Sequence, residues 1–371
     1  MPRQTCNQPF TFSMAVEYRC CAPVNGRAVA CIILGLGFGL CFMTGCQRAA
    51  DEGLGRPEGV SELFEPLPEQ ATDPEDNPST PEKIDLGHKL FFEPRLSRSG
   101  TISCNTCHVV GAAGVDHREV ALGEGARTGP RNSPTVFNAA FLEAQFWDGR
   151  APTLEEQAKG PIQAHVEMDL TPEEAVERLR ETGYEPFFAA AFPGEEDPLT
   201  FDNIAKALAA FERTLLTPGS AFDRYLAGDE DALTPLQKEG LALFQSSGCI
   251  GCHNGPMLGG RSYARFSHVE GTPDVGRGAV TQQETDQYVF RVAPLRNVEL
   301  TYPYFHDGSA ATLHDAVSVM GQVQLGRTFT EEEQAALVAF LQSLTGEFPL
   351  VPYPYLPRTV PQRTTAPAQA E

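Results

Sequence analysis

Thr80-Pro-Glu-Lys-Ile-Asp-Leu-Gly-His-Lys-Leu-Phe91, followed by Cys104-Asn-Thr-Cys107-His108, sets the architecture, because the same order returns as Thr234-Pro-Leu-Gln-Lys-Glu-Gly-Leu-Ala-Leu-Phe244 followed by Cys249-Ile-Gly-Cys252-His253. Thr before Pro places an N-cap ahead of a first helical residue that needs no amide hydrogen. Gly87 and Gly240 fall at matching positions, as do Leu90 with Leu243 and Phe91 with Phe244. A repeat of this kind implies two related halves. Working outward, Thr171 with Glu174, Thr234 with Gln237 and Thr330 with Glu333 form capping boxes before amphipathic runs, and strand signals are sparse. The expected fold is mainly α with few strands. One half covers residues 82–220 and the other 221–350, joined at the Thr217-Pro-Gly-Ser220 turn after a helix of about 201–216.

Each Cys-x-x-Cys-His motif supplies two thiols that add to haem vinyl groups and a histidine that binds the iron from one face. Zinc is the rival reading, but it needs further ligands for each motif, and the only other cysteines lie at or before Cys46. Two covalent c-type haems are therefore expected on Cys104, Cys107 and His108 and on Cys249, Cys252 and His253. The sixth position of each iron decides between electron transfer and catalysis. Met257 is too near His253 to reach the opposite haem face. Met320, just before a helix of about 330–345, stands in an order that resembles class I cytochromes c, with a core methionine as the other reading.

Residues 1–45 read as an export signal: Arg3, Arg19 and Arg27 against Glu17, then an apolar run from about Ala28 to Met43 ending in Thr44, Gly45 and Cys46. The small residues before Cys46 resemble a lipoprotein cleavage box, so Cys46 carries lipid or cleavage falls near Gly45 without an anchor; translation starts at Met1 or Met14. The expected location is the periplasm. Removing this leader leaves 25 basic and 48 acidic residues, a net charge of −23. Nucleic acid is excluded as a partner, whereas a small basic protein would be steered in; solubility alone is the other use of such charge. Residues 46–81 read as a flexible tether or strap with no core, and 351–371 as an irregular tail.

The stretches Gly129-Pro-Arg-Asn-Ser-Pro-Thr135, Gln145-Phe-Trp-Asp-Gly-Arg150, Glu156-Gln-Ala-Lys-Gly-Pro161, Tyr304-Phe-His-Asp-Gly308 and Val319-Met-Gly321 look like those of bacterial dihaem cytochrome c peroxidases, over about residues 81–348. The resemblance implies two cytochrome c-like haem domains, the first reacting with hydrogen peroxide and the second taking electrons from a small cytochrome c or cupredoxin. It implies Glu167 as the active-site acid, Gln157 as its polar neighbour and Trp147 between the haems. His306 becomes a haem-propionate partner, Met320 the sixth ligand of the second iron, and Asn132, Thr301 and Pro303 a calcium site between the domains; a homodimer is compatible with it.

One departure concerns reductive activation, for which relatives place a removable histidine ligand where this chain reads Leu122-Gly-Glu-Gly125. Glu124 is a poor low-spin ligand, so the first haem is expected to be open or water-bound unless His117 or His165 closes it. Met320 also argues against a related dihaem oxidase that modifies a protein and uses tyrosine at that place. A dihaem electron carrier, with both sixth positions filled, is the non-enzymatic alternative.

Overall fold

The computed structural model describes residues 59–358, so the expected leader, Cys46 and the far end of the tail lie outside the described residues. The chain there is helical: α1 (Val60–Leu63), α2 (Pro81–Phe91), α3 (Cys104–Cys107), α4 (Leu154–Gln163), α5 (Pro172–Glu181), α6 (Glu185–Ala191), α7 (Phe201–Glu212), α8 (Ala221–Leu226), α9 (Pro235–Ser246), α10 (Gly278–Thr281), α11 (Leu313–Leu325) and α12 (Glu331–Gln342). Two short strands, β1 (Tyr263–Arg265) and β2 (Val289–Arg291), pair antiparallel with Tyr263 opposite Arg291. The boxes at Thr171, Thr234 and Thr330 close as expected, each hydroxyl accepting from the N3 amide and each N3 side chain returning the bond.

Two helix crossings position everything else. α2 packs on α7 so closely that a Cβ on Gly87 would sit 1.9 Å from the Ala207 carbonyl oxygen and 2.9 Å from Phe211 Cβ. α9 packs on α12 in the same way, Gly240 meeting Ala336 O at 1.9 Å and Phe340 Cβ at 2.8 Å. Phe91 against Phe211 (5.3 Å) and Phe244 against Phe340 (5.2 Å) flank the two contacts. Helix backbones cannot yield locally to a methyl group, so the pairs must separate. Gly87→Ala and Gly240→Ala are each expected to destabilise by about 3 kcal/mol or more, at the upper end of overpacking costs, as read by chemical denaturation; a loss below about 1 kcal/mol would show that the crossings are looser than drawn.

A second device also occurs twice. Gln145 N–H donates to Ala151 O (2.7 Å) and Tyr304 N–H to Ala310 O (2.8 Å), closing two tight turns. Within each, a phenylalanine takes a left-handed backbone (Phe146 φ 67°, Phe305 φ 72°), as does a glycine three residues on (Gly149 φ 66°, Gly308 φ 68°). Asp148 and Asp307 accept from the amide two residues ahead, at 3.2 and 3.1 Å, the side-chain bond that makes aspartate a turn residue. Thr153 and Thr312 then cap α4 and α11. Counting from the caps, Pro161 and Met320 stand eight residues along; Met320 lies inside α11, the helix before the last.

The ends of the chain depart from the expected tether and tail. Val60, Phe64 and Leu67 are buried, the first two in the core around Phe222, Phe244 and Phe340, and Asn77 donates to Glu155 and to the Lys206 carbonyl. Residues 346–358 run back over the other core, where Phe348, Val351 and Leu356 pack and Pro352 O faces His88 Nε2 at 2.8 Å. The Pro-rich composition suggested solvated chain, but the short helix α1 and the extended segments bury a few apolar side chains. Each core therefore contains residues from outside the expected 82–220 and 221–350 spans. At the junction, Thr217 is clamped by Asn138 (2.7 and 2.8 Å) and Asn297 (2.8 Å).

Candidate haem cavity

The cavity follows from these devices. α3 and the turn after α9 present the motif cysteines, α4 and α11 form the opposing walls, and the two tight turns meet between them. One continuous cavity of about 970 Å³ results, lined by Cys104, Cys107, His108, Cys249, Cys252 and His253. Trp147, Gln157, Glu167, His306, Met320, Asn132, Thr301 and Pro303 line it too, so all the predicted site residues are gathered there. Met257 is buried elsewhere. The volume is at the top of the roughly 300–1,000 Å³ range of cofactor and ligand sites.

The donors fit two covalent haems. All four motif thiols are free of disulfides. His253 Nδ1 stands 3.0 Å from Leu258 O, so the N–H points there and Nε2 is left as the metal-binding nitrogen. His108 Nδ1 is buried with no partner. Burial holds both imidazoles below their ordinary pKa, which keeps them neutral and ligating. Among the described residues no group of three or more His, Cys, Asp or Glu is arranged for a bare metal ion, which leaves the zinc reading without a ligand set.

On the first wall Gln157 and Pro161 of α4 face the space with Glu167, which follows the helix. The Glu167 carboxyl is pushed up by burial, opposed by the charge of Arg150, whose guanidinium lies 3.4 Å from the centre of the Phe146 ring. Glu124 does not line the cavity: its carboxylate accepts from Ser99 N (3.0 Å) and Ser99 Oγ (2.8 Å), and its own amide donates to Glu167 O (2.7 Å). A Cβ on the preceding Gly123 would come 2.0 Å from Val166 O, so this loop is pressed onto the backbone that carries Glu167. His117 is occupied by Tyr302, ring stacked at 4.2 Å and Nδ1 2.9 Å from its carbonyl. His165 is exposed and beside Asp169.

Between the halves, Trp147 Nε1 donates to Asn132 O (2.9 Å) and its ring centre is 6.3 Å from that of His306. His306 is buried, stacked on Phe290 at 4.0 Å. Asn132 Nδ2 donates to Arg118 O (2.8 Å), which leaves Oδ1 as the oxygen free for a cation. Arg131 and Arg150, not singled out from sequence, join this junction: Arg131 binds Asp148 (2.7 Å) and, through Nε and Nη2, Asp274 (2.7 and 2.8 Å). Arg131 was visible only as a letter inside a quoted motif. Glu212, a buried acid on the cavity wall, gave no signal at all.

A helical chain that turns two Cys-x-x-Cys-His motifs into one cavity, each with a neutral buried histidine, belongs by fold and site to the two-haem c-type proteins. The sequence matches the profile of di-haem cytochrome c peroxidase over residues 81–231. It is 51% identical to cytochrome c551 peroxidase of Pseudomonas aeruginosa, over 84% of this chain and 92% of that one. With the protein of the same name from Nitrosomonas europaea the identity is 44%, covering 89% and 95%. A crystal structure of a MauG-like protein associated with microbial copper homeostasis superposes with a TM-score of 0.69 at 31% identity, covering 76% of this chain and 94% of that one. The chain belongs to the di-haem cytochrome c peroxidase family. It is a haem-dependent peroxidase with two c-type haems, an oxidoreductase acting on peroxide.

Proposed function

We propose that this peroxidase reacts at the haem of Cys104, Cys107 and His108, and that this haem is open in the fully oxidised protein. The observation that carries the reading is the register of α4 against α11: where the second wall offers the Met320 thioether, the first offers Pro161, which has no donor atom. Glu124, held by Ser99, and His117 and His165, turned elsewhere, support the same conclusion. The pairing of the two crossings and two turns supports the descent of both haem domains from one repeated unit.

The bound haem supplies a Lewis-acidic iron and a redox couple; the chain supplies the rest. Glu167 takes a proton from the near oxygen of hydrogen peroxide and returns it to the leaving oxygen, and a carboxyl raised towards neutrality suits both roles. Gln157 orients the substrate with its amide. Trp147, held by Asn132, is the aromatic bridge between the halves, and His253 and Met320, with His306 nearby, would hold the second haem, where electrons would enter. The donor is a small cytochrome c or a cupredoxin drawn to the acidic surface. Calcium at Asn132, Thr301 and Pro303 would fasten the junction; oxygens suit this cation, and water completes the shell. Export to the periplasm, with a lipid anchor at Cys46, completes the proposal.

The deciding experiment is EPR of the oxidised holoprotein alongside peroxide turnover without prior reduction. A high-spin ferric signal with immediate turnover is expected; two low-spin signals with activity only after half-reduction would overturn the open-haem reading. In Trp147→Phe, haem content should be unchanged while steady-state turnover falls steeply. Unaltered turnover would remove Trp147 from the route.

A further inference from the structure

Glu212 is a buried acid that the peroxidase chemistry above does not use. It ends α7, only 6% exposed, and with Leu208 one turn earlier it faces the cavity beside Cys104. No hydrogen bond reaches its carboxyl among the described residues. Arg213 binds Glu155 of α4 at 2.7 Å and lies 4.0 Å from Asp73, and its buried Nη1 has no hydrogen-bond partner among the described residues. From α2, His88 stacks on the neighbouring Phe211, and from α3 the facing group is Cys104, a thioether once haem is attached.

The two helix crossings show what packing alone requires here. Gly87, Ala207 and Phe211 correspond to Gly240, Ala336 and Phe340, so Leu208 corresponds to Leu337 and Glu212 to Leu341, and all four line the cavity. The second half fills the position with leucine. The first half keeps a carboxyl there without a partner, at the desolvation cost such burial carries. Violations of this kind concentrate at functional sites.

We propose that Glu212 is the proton acceptor coupled to reduction of the haem anchored at Cys104 and Cys107. One electron, from the small donor protein proposed above, enters the haem; one proton passes from solvent to a Glu212 carboxylate oxygen, forming an O–H bond, and no other bond is made or broken. The added negative charge acts on the carboxylate through a low-dielectric cavity, where screening is weak. Burial already pushes the carboxyl up to about 8, with Arg213 opposing and Glu155 reinforcing, so the added charge raises it further and the proton is taken up on the alkaline side of neutrality.

This rests on haem attachment at Cys104 and Cys107, which the intact mass of the holoprotein tests separately. The experiment is optical potentiometry of the first haem across pH in wild type, Glu212→Gln and Glu212→Leu, the last copying Leu341. In wild type the redox equilibrium is expected to shift up to tenfold per pH unit on the alkaline side of neutrality, ~59 mV for a one-electron couple. Both variants should be flat over that range. A pH-independent wild type overturns the proposal, and so does a slope that survives in both variants, which would place the proton on the haem carboxylates. If neither variant accumulates, redox-difference infrared spectroscopy of wild type decides: a protonated-carboxyl band gained on reduction is expected, and its absence sinks the idea.

Discussion

Glu167→Gln is expected to lower kcat/KM for hydrogen peroxide about a hundred- to ten-thousandfold, the range that a positioned general acid–base contributes, with haem content and the spectrum of the second haem unchanged. Glutamine keeps the shape and a hydrogen bond but cannot carry the proton. The pH dependence gives a second reading. Burial raises the Glu167 pKa, and the carboxylate is the form that accepts the first proton. Wild-type kcat/KM should therefore rise as pH rises through that raised value and be lost below it, whereas the variant should show no such limb. Steady-state assays across pH check both, and a variant as fast as wild type would remove Glu167 from the proton transfer.

Met320→Ala is the second large effect. A thioether sixth ligand raises a haem's potential, and axial ligands span roughly 0.8 V across haem proteins. Without it, the second haem should turn high-spin and its potential fall by a substantial part of that range, so that turnover driven by a reduced cytochrome stops while both haems stay attached. Redox titration and low-temperature EPR read the change directly. A second haem that stays low-spin at an unaltered potential would return Met320 to a packing role. The helix register makes the contrast with Pro161 specific: the same place on the opposite wall has no sulfur to lose.

Much of this site was legible because its signals are local. A Cys-x-x-Cys-His run states its chemistry within five letters, and a Thr-Pro pair announces a helix start whatever lies around it. Gly87 and Gly240 could be matched by spacing, but nothing in the letters said that each glycine is where two helix backbones touch. Met320 and Met257 were separable by sequence distance, and of the two it is Met320 that lines the cavity. The packed strap at Val60 and Phe64 was hidden by Pro- and acid-rich surroundings, since two buried side chains on one four-residue helix are too few to show a periodicity. Glu124 was read as a missing ligand; its engagement by Ser99 depends on a fold that brings residues 25 apart together.

By itself the sequence determined the helical class, the two c-type haems and the family, because caps and thioether motifs act over a few residues. Only the tertiary structure decided that both motifs share one cavity, that Pro161 and Met320 line it from matching places on α4 and α11, that His117 and His165 are engaged elsewhere, and that Glu212 is buried beside Cys104 with no hydrogen bond to its carboxyl among the described residues. Those facts depend on which surfaces meet across long stretches of chain. Burial and the absence of a partner arise there, and they turn an ordinary acid into a group whose proton responds to an electron.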